Sequence, residues 1–180
     1  MRSAPVGTRA DSVVERRRPH WGLFVGLAAA VLIADQVAKA WIVANVDPFR
    51  PTTVVGDYLR LILSHNTGAL FGLFHDQAAL FAIFSVVVIG LLVWYQSKVG
   101  RSVLLSIALG LLLGGAIGNL SDRVRLGYVV DFVDAGIGSL RFYTFNIADA
   151  AISTALLLLI LVALRPSLGG PPDREPGTDA

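Results

Sequence analysis

Four stretches of this chain, 21–44, 78–95, 102–118 and 146–164, are each apolar over the length of a membrane crossing. A helix needs about 17–25 such residues to cross roughly 30 Å of hydrocarbon. Inside that layer no water satisfies backbone N–H and C=O groups, so a single spanning segment must be helical. The composition agrees: 16% of residues are charged and 54% hydrophobic, against about 25% charged in a soluble domain. Mean hydropathy is +0.66. The expected fold class is an all-α membrane protein with four transmembrane helices. One membrane domain over 21–166 is expected between two polar, disordered tails, 1–20 and 167–180. Arg16-Arg17-Arg18 invite comparison with a twin-arginine export signal. Pro19-His20-Trp21 match it poorly, and the apolar run that follows is too long for a signal peptide. The chain has no cysteine, which excludes disulfides, thiolate metal sites and a cysteine nucleophile.

The segments between the spans are unequal. Lys98, Gly100 and Arg101 make a short basic turn. Asn45–Gln77 holds short β-like runs, Thr53-Val54-Val55 and Tyr58–Leu63, bounded by Pro48, Pro51 and Gly56. It predicts a small extracytoplasmic β-sheet on the membrane surface, followed by a short interfacial helix. Asn119–Phe145 is the second such segment. The two tails, Arg165 at the end of the fourth span and the basic turn carry nine Lys or Arg residues, whereas Arg50, Arg60, Arg123, Arg125 and Arg141 are the five in the other two segments. That bias places both termini in the cytoplasm. Gly110, Gly114, Gly115 and Gly118 recur at spacings that let a neighbouring helix come close.

With this topology, polar residues far apart in sequence converge on the outer membrane–water interface. Asp35 and Lys39 lie toward the outer end of the first span, with Asp35 about 20 Å along it from Trp21. Asn119, Asp122 and Arg123 follow the third span, Asn146 and Asp149 begin the fourth, and Asn66 precedes the second. Asp149, in a first helical turn, is also explained as a cap, although Asn146 is the better N-cap. Asp131, flanked by large apolar residues in a β-like run, is also explained as the exposed face of an edge strand. Two close carboxylates cannot both ionise and share a proton, which suits water-activating hydrolysis. Asp122 beside Arg123, and Asp35 four residues before Lys39, read as ion pairs. His65 and His75 lack a spaced third ligand, so no metal is expected. Ser121, Ser139 and Ser153 have no evident histidine partner and no nucleophile elbow. A proton-coupled carrier and a non-enzymatic scaffold remain open on these residues alone, although the acids gather at one face and no inverted repeat is visible.

Five blocks in order, ADQVAK (34–39), NTGALFG (66–72), GGAIGNLSDR (114–123), VVDF (129–132) and FNIADAAIS (145–153), resemble the lipoprotein signal peptidase, or signal peptidase II, family. The resemblance covers about Trp21 to Leu164. It implies a bacterial inner-membrane aspartic endopeptidase with its active site at the outer face. Such an enzyme removes the signal peptide from a prolipoprotein just before an S-diacylglyceryl cysteine. The implied partners are that substrate and membrane lipid, with no nucleic acid and no cofactor. By the same resemblance Asp131 and Asp149 are the catalytic pair. Asp35, Lys39, Asn66, Gly68, Asn119, Asp122, Arg123 and Asn146 bind substrate or support the site. Where the family often has arginine before the Asn-Thr-Gly block, this chain has His65.

Overall fold

The computed structural model describes residues 19–67, 78–99 and 102–169. The tail expectations for 1–18 and 170–180, the interfacial helix expected after Asn66, and Gly68 lie outside the described residues. The elements run α1 (Trp21–Asn45), β1 (Thr52–Val55), β2 (Leu59–Asn66), α2 (Ala78–Val99), α3 (Val103–Leu126), β3 (Val129–Ile137), β4 (Leu140–Arg141) and α4 (Ile147–Leu164), followed by a 3₁₀ turn at Pro166–Gly169. All four α-helices are long and apolar enough to cross a membrane.

Their faces invert the soluble pattern. On α1 the buried residues are Phe24, Ala28, Val31, Asp35, Lys39 and Ile42, spaced three and four apart along one stripe. The outward face, with Ile33, Val37 and Trp41, is exposed and apolar. Two charged residues therefore lie inside the bundle while the hydrophobic ones face outward. That arrangement suits hydrocarbon, where apolar surface needs no burial and charges must find partners.

α3 is the central helix and packs on α1, α2 and α4. Its glycines bring two neighbours close. A Cβ on Gly114 would lie 2.6 Å from Ala28 O on α1, and one on Gly115 would lie 2.5 Å from Ala148 O on α4. Gly118 sits against both the Asp35 carboxylate and the Ala148 methyl. Ser102 caps the start of α3 by accepting from Leu105 N–H. Gly127 ends it in the left-handed region at φ 80°, its N–H bonded to Arg123 O, a conformation that favours glycine. α3 is thus two turns longer than the expected end at Gly118. Asn119 and Asp122 stay helical because they lie on its buried face and find partners there.

The strands form one antiparallel sheet in the order β1-β2-β3-β4. In the central pair, Ser64 lies opposite Asp131 and Asn66 opposite Val129. Phe132 packs with Ile42 and Val46 at the end of α1, which fixes the sheet to the bundle. Its neighbour Asp131 then projects from the other side of the strand. Asp134 binds Arg60 at 2.8 Å and Arg141 at 2.9 Å, clamping three strands. The two guanidinium groups hold its carboxyl below the usual range despite desolvation.

Candidate active site

Three elements bring the carboxylates together. α3 delivers Asn119 and Asp122, β3 delivers Asp131, and the first turn of α4 delivers Asn146 and Asp149. Asn146 is the N-cap of α4: its Oδ1 accepts from the Asp149 backbone N–H at 2.8 Å. Asp149 Oδ2 accepts in turn from the Asn146 N–H at 3.3 Å, closing a capping box. The capping and functional readings of Asp149 therefore coexist. The cap is shared: Asn146, the better N-cap by sequence, and Asp149, for which capping was the alternative reading, both take part.

The Asn146 amide also reaches β3. Its Nδ2 donates to Asp131 Oδ1 at 2.7 Å, and Asn66 Nδ2 donates to Asp131 Oδ2 at 2.9 Å. Asn119 Nδ2 donates to Asp149 Oδ1 at 2.8 Å, and Asn119 Oδ1 accepts from Asn146 Nδ2 at 3.2 Å. A continuous path thus runs Asp131–Asn146–Asn119–Asp149. Asp131 is only 2% exposed, whereas Asp149 is half-buried. Burial, and next the charge of Asp149, push the Asp131 carboxyl up to about 7, against the opposing pull of Asn66, Asn146 and Lys39. Burial and a like charge disfavour the same ionised form.

Beneath this path lies a buried ion cluster. Lys39 Nζ is 2.8 Å from Asp35 Oδ2, 2.8 Å from Asp122 Oδ2 and 3.2 Å from Asn119 Oδ1. Asp35 and Lys39 form the ion pair read from their spacing, but Asp35 does more. Its Oδ1 accepts from the Ala148 N–H of α4 at 2.9 Å. Asp122 departs from the reading that paired it with Arg123. Its ion-pair partner is Lys39, and it also accepts from the Val130 N–H at 3.1 Å. The reason is helical geometry: adjacent residues point about 100° apart, so Asp122 faces α1. Arg123 donates to the Asn119 carbonyl at 3.4 Å and lies over the Phe81 ring at 5.4 Å.

Gln36 and Arg125 were missed. Gln36 Nε2 donates to Asp122 Oδ1 at 3.0 Å, and Arg125 Nη1 donates to Gln36 Oε1 at 3.0 Å. The available signal was an amide within an apolar run, next to Asp35. His65 stacks on Tyr128 with ring centroids 4.2 Å apart, beside Asn66 in β2. Among the described residues, no group of three or more His, Cys, Asp or Glu side chains is placed to hold a metal ion.

Known proteins share this architecture. A lipoprotein signal peptidase of Pseudomonas fluorescens is 40% identical over 141 residues, 75% of this chain and 83% of that protein. One from Moorella thermoacetica is 40% identical over 154 residues, 85% of this chain and 99% of that protein. A solved bacterial membrane enzyme superposes with a TM-score of 0.79 at 29% identity, covering 88% of this chain and 97% of that one. A second gives a TM-score of 0.76 at 31% identity, over 83% and 97%. Residues 27–165 match the family described as signal peptidase (SPase) II, and the chain belongs to that family.

Proposed function

We propose that this protein is an aspartic endopeptidase that removes signal peptides from prolipoproteins, cleaving on the N-terminal side of the S-diacylglyceryl cysteine. Asp131 and Asp149 are its catalytic pair. The observation that carries this reading is the buried path Asp131–Asn146–Asn119–Asp149, which ties two carboxylates from different elements into one hydrogen-bonded unit. The membrane unit is 21–166, both termini are cytoplasmic, and the pair lies at the outer face. A lipid-bearing cysteine holds its scissile bond near headgroup level while its acyl chains stay in the bilayer.

The chemistry follows from the two environments. The coupled pair carries one proton near neutral pH. Asp131, the more enclosed member, holds it. Asp149, half-buried, takes a proton from water as that water's oxygen attacks the carbonyl carbon. Asp131 passes its proton to the carbonyl oxygen, giving a neutral tetrahedral intermediate. Collapse of the intermediate breaks the C–N bond as Asp149 gives its proton to the departing nitrogen and Asp131 takes one back from a hydroxyl of the intermediate, which restores the one-proton pair. Asn66 and Asn146 keep Asp131 aimed, while Asn119 and the capping box keep Asp149 aimed.

The test is turnover per folded molecule on a diacylglyceryl-cysteine peptide in detergent. Asp131→Asn and Asp149→Asn should each lose at least about 10²-fold, and the double variant little more, because paired groups act as a unit. Bare peptide should be a very poor substrate. If both single variants keep turnover, the aspartic mechanism fails. Equal cleavage of lipidated and bare peptide would make this a general peptidase, and no cleavage of either would favour a carrier or scaffold.

A further inference from the structure

We infer that Lys39 is a positioning residue for the carboxylate pair: its third ammonium hydrogen, together with Asn146 Nδ2, fixes which way the Asn119 amide faces and so keeps a donor on Asp149. The inference rests on the aspartic reading above. An ammonium has three N–H donors and no acceptor. Lys39, 3% exposed, has one acceptor for each: Asp35 Oδ2, Asp122 Oδ2 and Asn119 Oδ1. The first two are ion pairs that anchor α1 against α3. The third is not needed to neutralise any charge. It ends on the side chain that bonds Asp149.

A side-chain amide has nearly the same shape in either orientation, so its neighbours decide which way it lies. On one side of the Asn119 amide stand two donors, Lys39 Nζ at 3.2 Å and Asn146 Nδ2 at 3.2 Å. On the other stands Asp149 Oδ1 at 2.8 Å. With Oδ1 toward Lys39, each of these contacts joins a donor to an acceptor. Turned over, Nδ2 would meet two donors, one of them charged, and Oδ1 would meet a carboxylate oxygen. Removing Lys39 takes away the charged donor and leaves Asn146 Nδ2 alone to oppose the turned state, which a proton on Asp149 Oδ1 would favour. Asn146 is fixed by an equally irreversible donor, the Asp149 backbone N–H on its Oδ1 at 2.8 Å, so its Nδ2 faces Asp131.

The consequence is a division of labour. Asp149 accepts on both oxygens, from Asn119 Nδ2 and from the Asn146 N–H, and each bond favours the carboxylate over the acid. The shared proton is left to Asp131. The other charged or titratable groups near the pair are Asp35 on α1, Asp122 and Arg123 on α3, and His65 on β2. Lys39 touches no reacting atom; beside the direct pull of its charge, it reaches the pair through Asn119.

Four full-length variants test this: Asp122→Asn, Lys39→Gln in the Asp122→Asn background, Asn119→Ala, and Asp131→Asn as the control for the aspartic reading. The double variant avoids leaving two buried carboxylates without their cation, and glutamine both donates and accepts, so it cannot dictate the amide's orientation. The readout is kcat and KM for a diacylglyceryl-cysteine peptide across the neutral pH range, per folded molecule. Relative to Asp122→Asn alone, adding Lys39→Gln should move the acid limb of kcat up by about one pH unit, a roughly tenfold loss below that limb. KM should change little. Asn119→Ala, which disturbs no charge, should move the same limb in the same direction. A purely structural Lys39 would lower the unfolding temperature of the double variant and leave the limb in place. If Asn119→Ala keeps the wild-type limb, the inference is overturned, whether or not the double variant folds. If Asp131→Asn retains turnover, the aspartic reading has failed instead; if Asp131→Asn is inactive and the limb stays fixed, only the positioning role has.

Discussion

Gly114→Ala tests whether the site depends on close contact between α1 and α3. An added Cβ would lie 2.6 Å from Ala28 O, 2.8 Å from Val31 Cβ and 3.0 Å from Ala28 Cα. Carbon atoms pack best at about 3.5–4.0 Å. α1 must therefore withdraw by roughly 0.5–1 Å, since the obstructing atoms are backbone and a Cβ that no rotamer change moves. Overpacking of this kind costs about 1–3 kcal/mol. The damage also travels. Asp35 lies two turns beyond Ala28 on the same stripe, roughly 10 Å toward the site, and Lys39 one turn further. The same withdrawal there would stretch the 2.8 Å contact between Lys39 and Asp122 past the usual hydrogen-bond range of about 3.2 Å. Gly114→Ala should thus unfold at a lower temperature in detergent and turn over at least severalfold more slowly per folded molecule. Gly90→Ala is the control, because nothing lies within 4 Å of a Cβ at that position. If Gly114→Ala matches Gly90→Ala in both unfolding temperature and turnover, close α1–α3 contact does not hold the site.

Two further outcomes can be measured. Cysteines placed at Ala4 and Ser139, in a chain with none of its own, should differ in intact cells: an impermeant thiol reagent should label position 139 and not position 4, and the reverse would overturn the orientation. Stability should fall as pH rises, because Asp131 keeps its proton to about 7 in the folded state against 3.8 as a free side chain. The folded state binds the extra proton, so its contribution is complete below pH 3.8 and lost as pH rises through about 7. Three units correspond to roughly 4 kcal/mol. Asp131→Asn should flatten unfolding temperature against pH over that window, and an unchanged slope would remove Asp131 as its source.

The four helices were legible because hydrocarbon imposes a length and a composition that few other environments do. The sheet was legible from β-branched runs bounded by Pro and Gly. What sequence could not supply was the partner of a polar group that meets another element, beyond local pairs such as Asp35 and Lys39. Arg123 is the nearest cation to Asp122 along the chain, yet Lys39 is the one it binds, because an intervening helix crossing decides the contact. The same crossing hid the true end of α3. Asn119, Asp122 and Arg123 look like the start of a polar loop until Lys39, Asp149 and Phe81 are seen to receive them. Capping and catalysis read as alternatives for Asp149 from sequence, whereas the capping box of α4 uses both Asn146 and Asp149. Gln36 had an amide's neutrality and drew no notice, though it braces Asp122 and receives Arg125.

The charge of the whole cluster explains why a proton is held at all. Asp35, Asp122, Asp131 and Asp149 stand near two cations, Lys39 and Arg123. With all four acids ionised the cluster would carry a net charge of −2 in a poorly solvated place. One retained proton brings it to −1. The N-terminus of α4, equivalent to roughly half a positive charge, is aimed at the same place: the Ala148 N–H donates to Asp35 and the Asn146 N–H to Asp149. Proton sharing is therefore a property of the cluster and not only of two neighbouring acids. Removing a cation from it invites a second proton, and that proton would silence the base. Removing a carboxylate such as Asp122 relaxes the need for the first. Lys39 and Asp122 pull on the catalytic protonation state in opposite directions, although 2.8 Å separates their charged atoms.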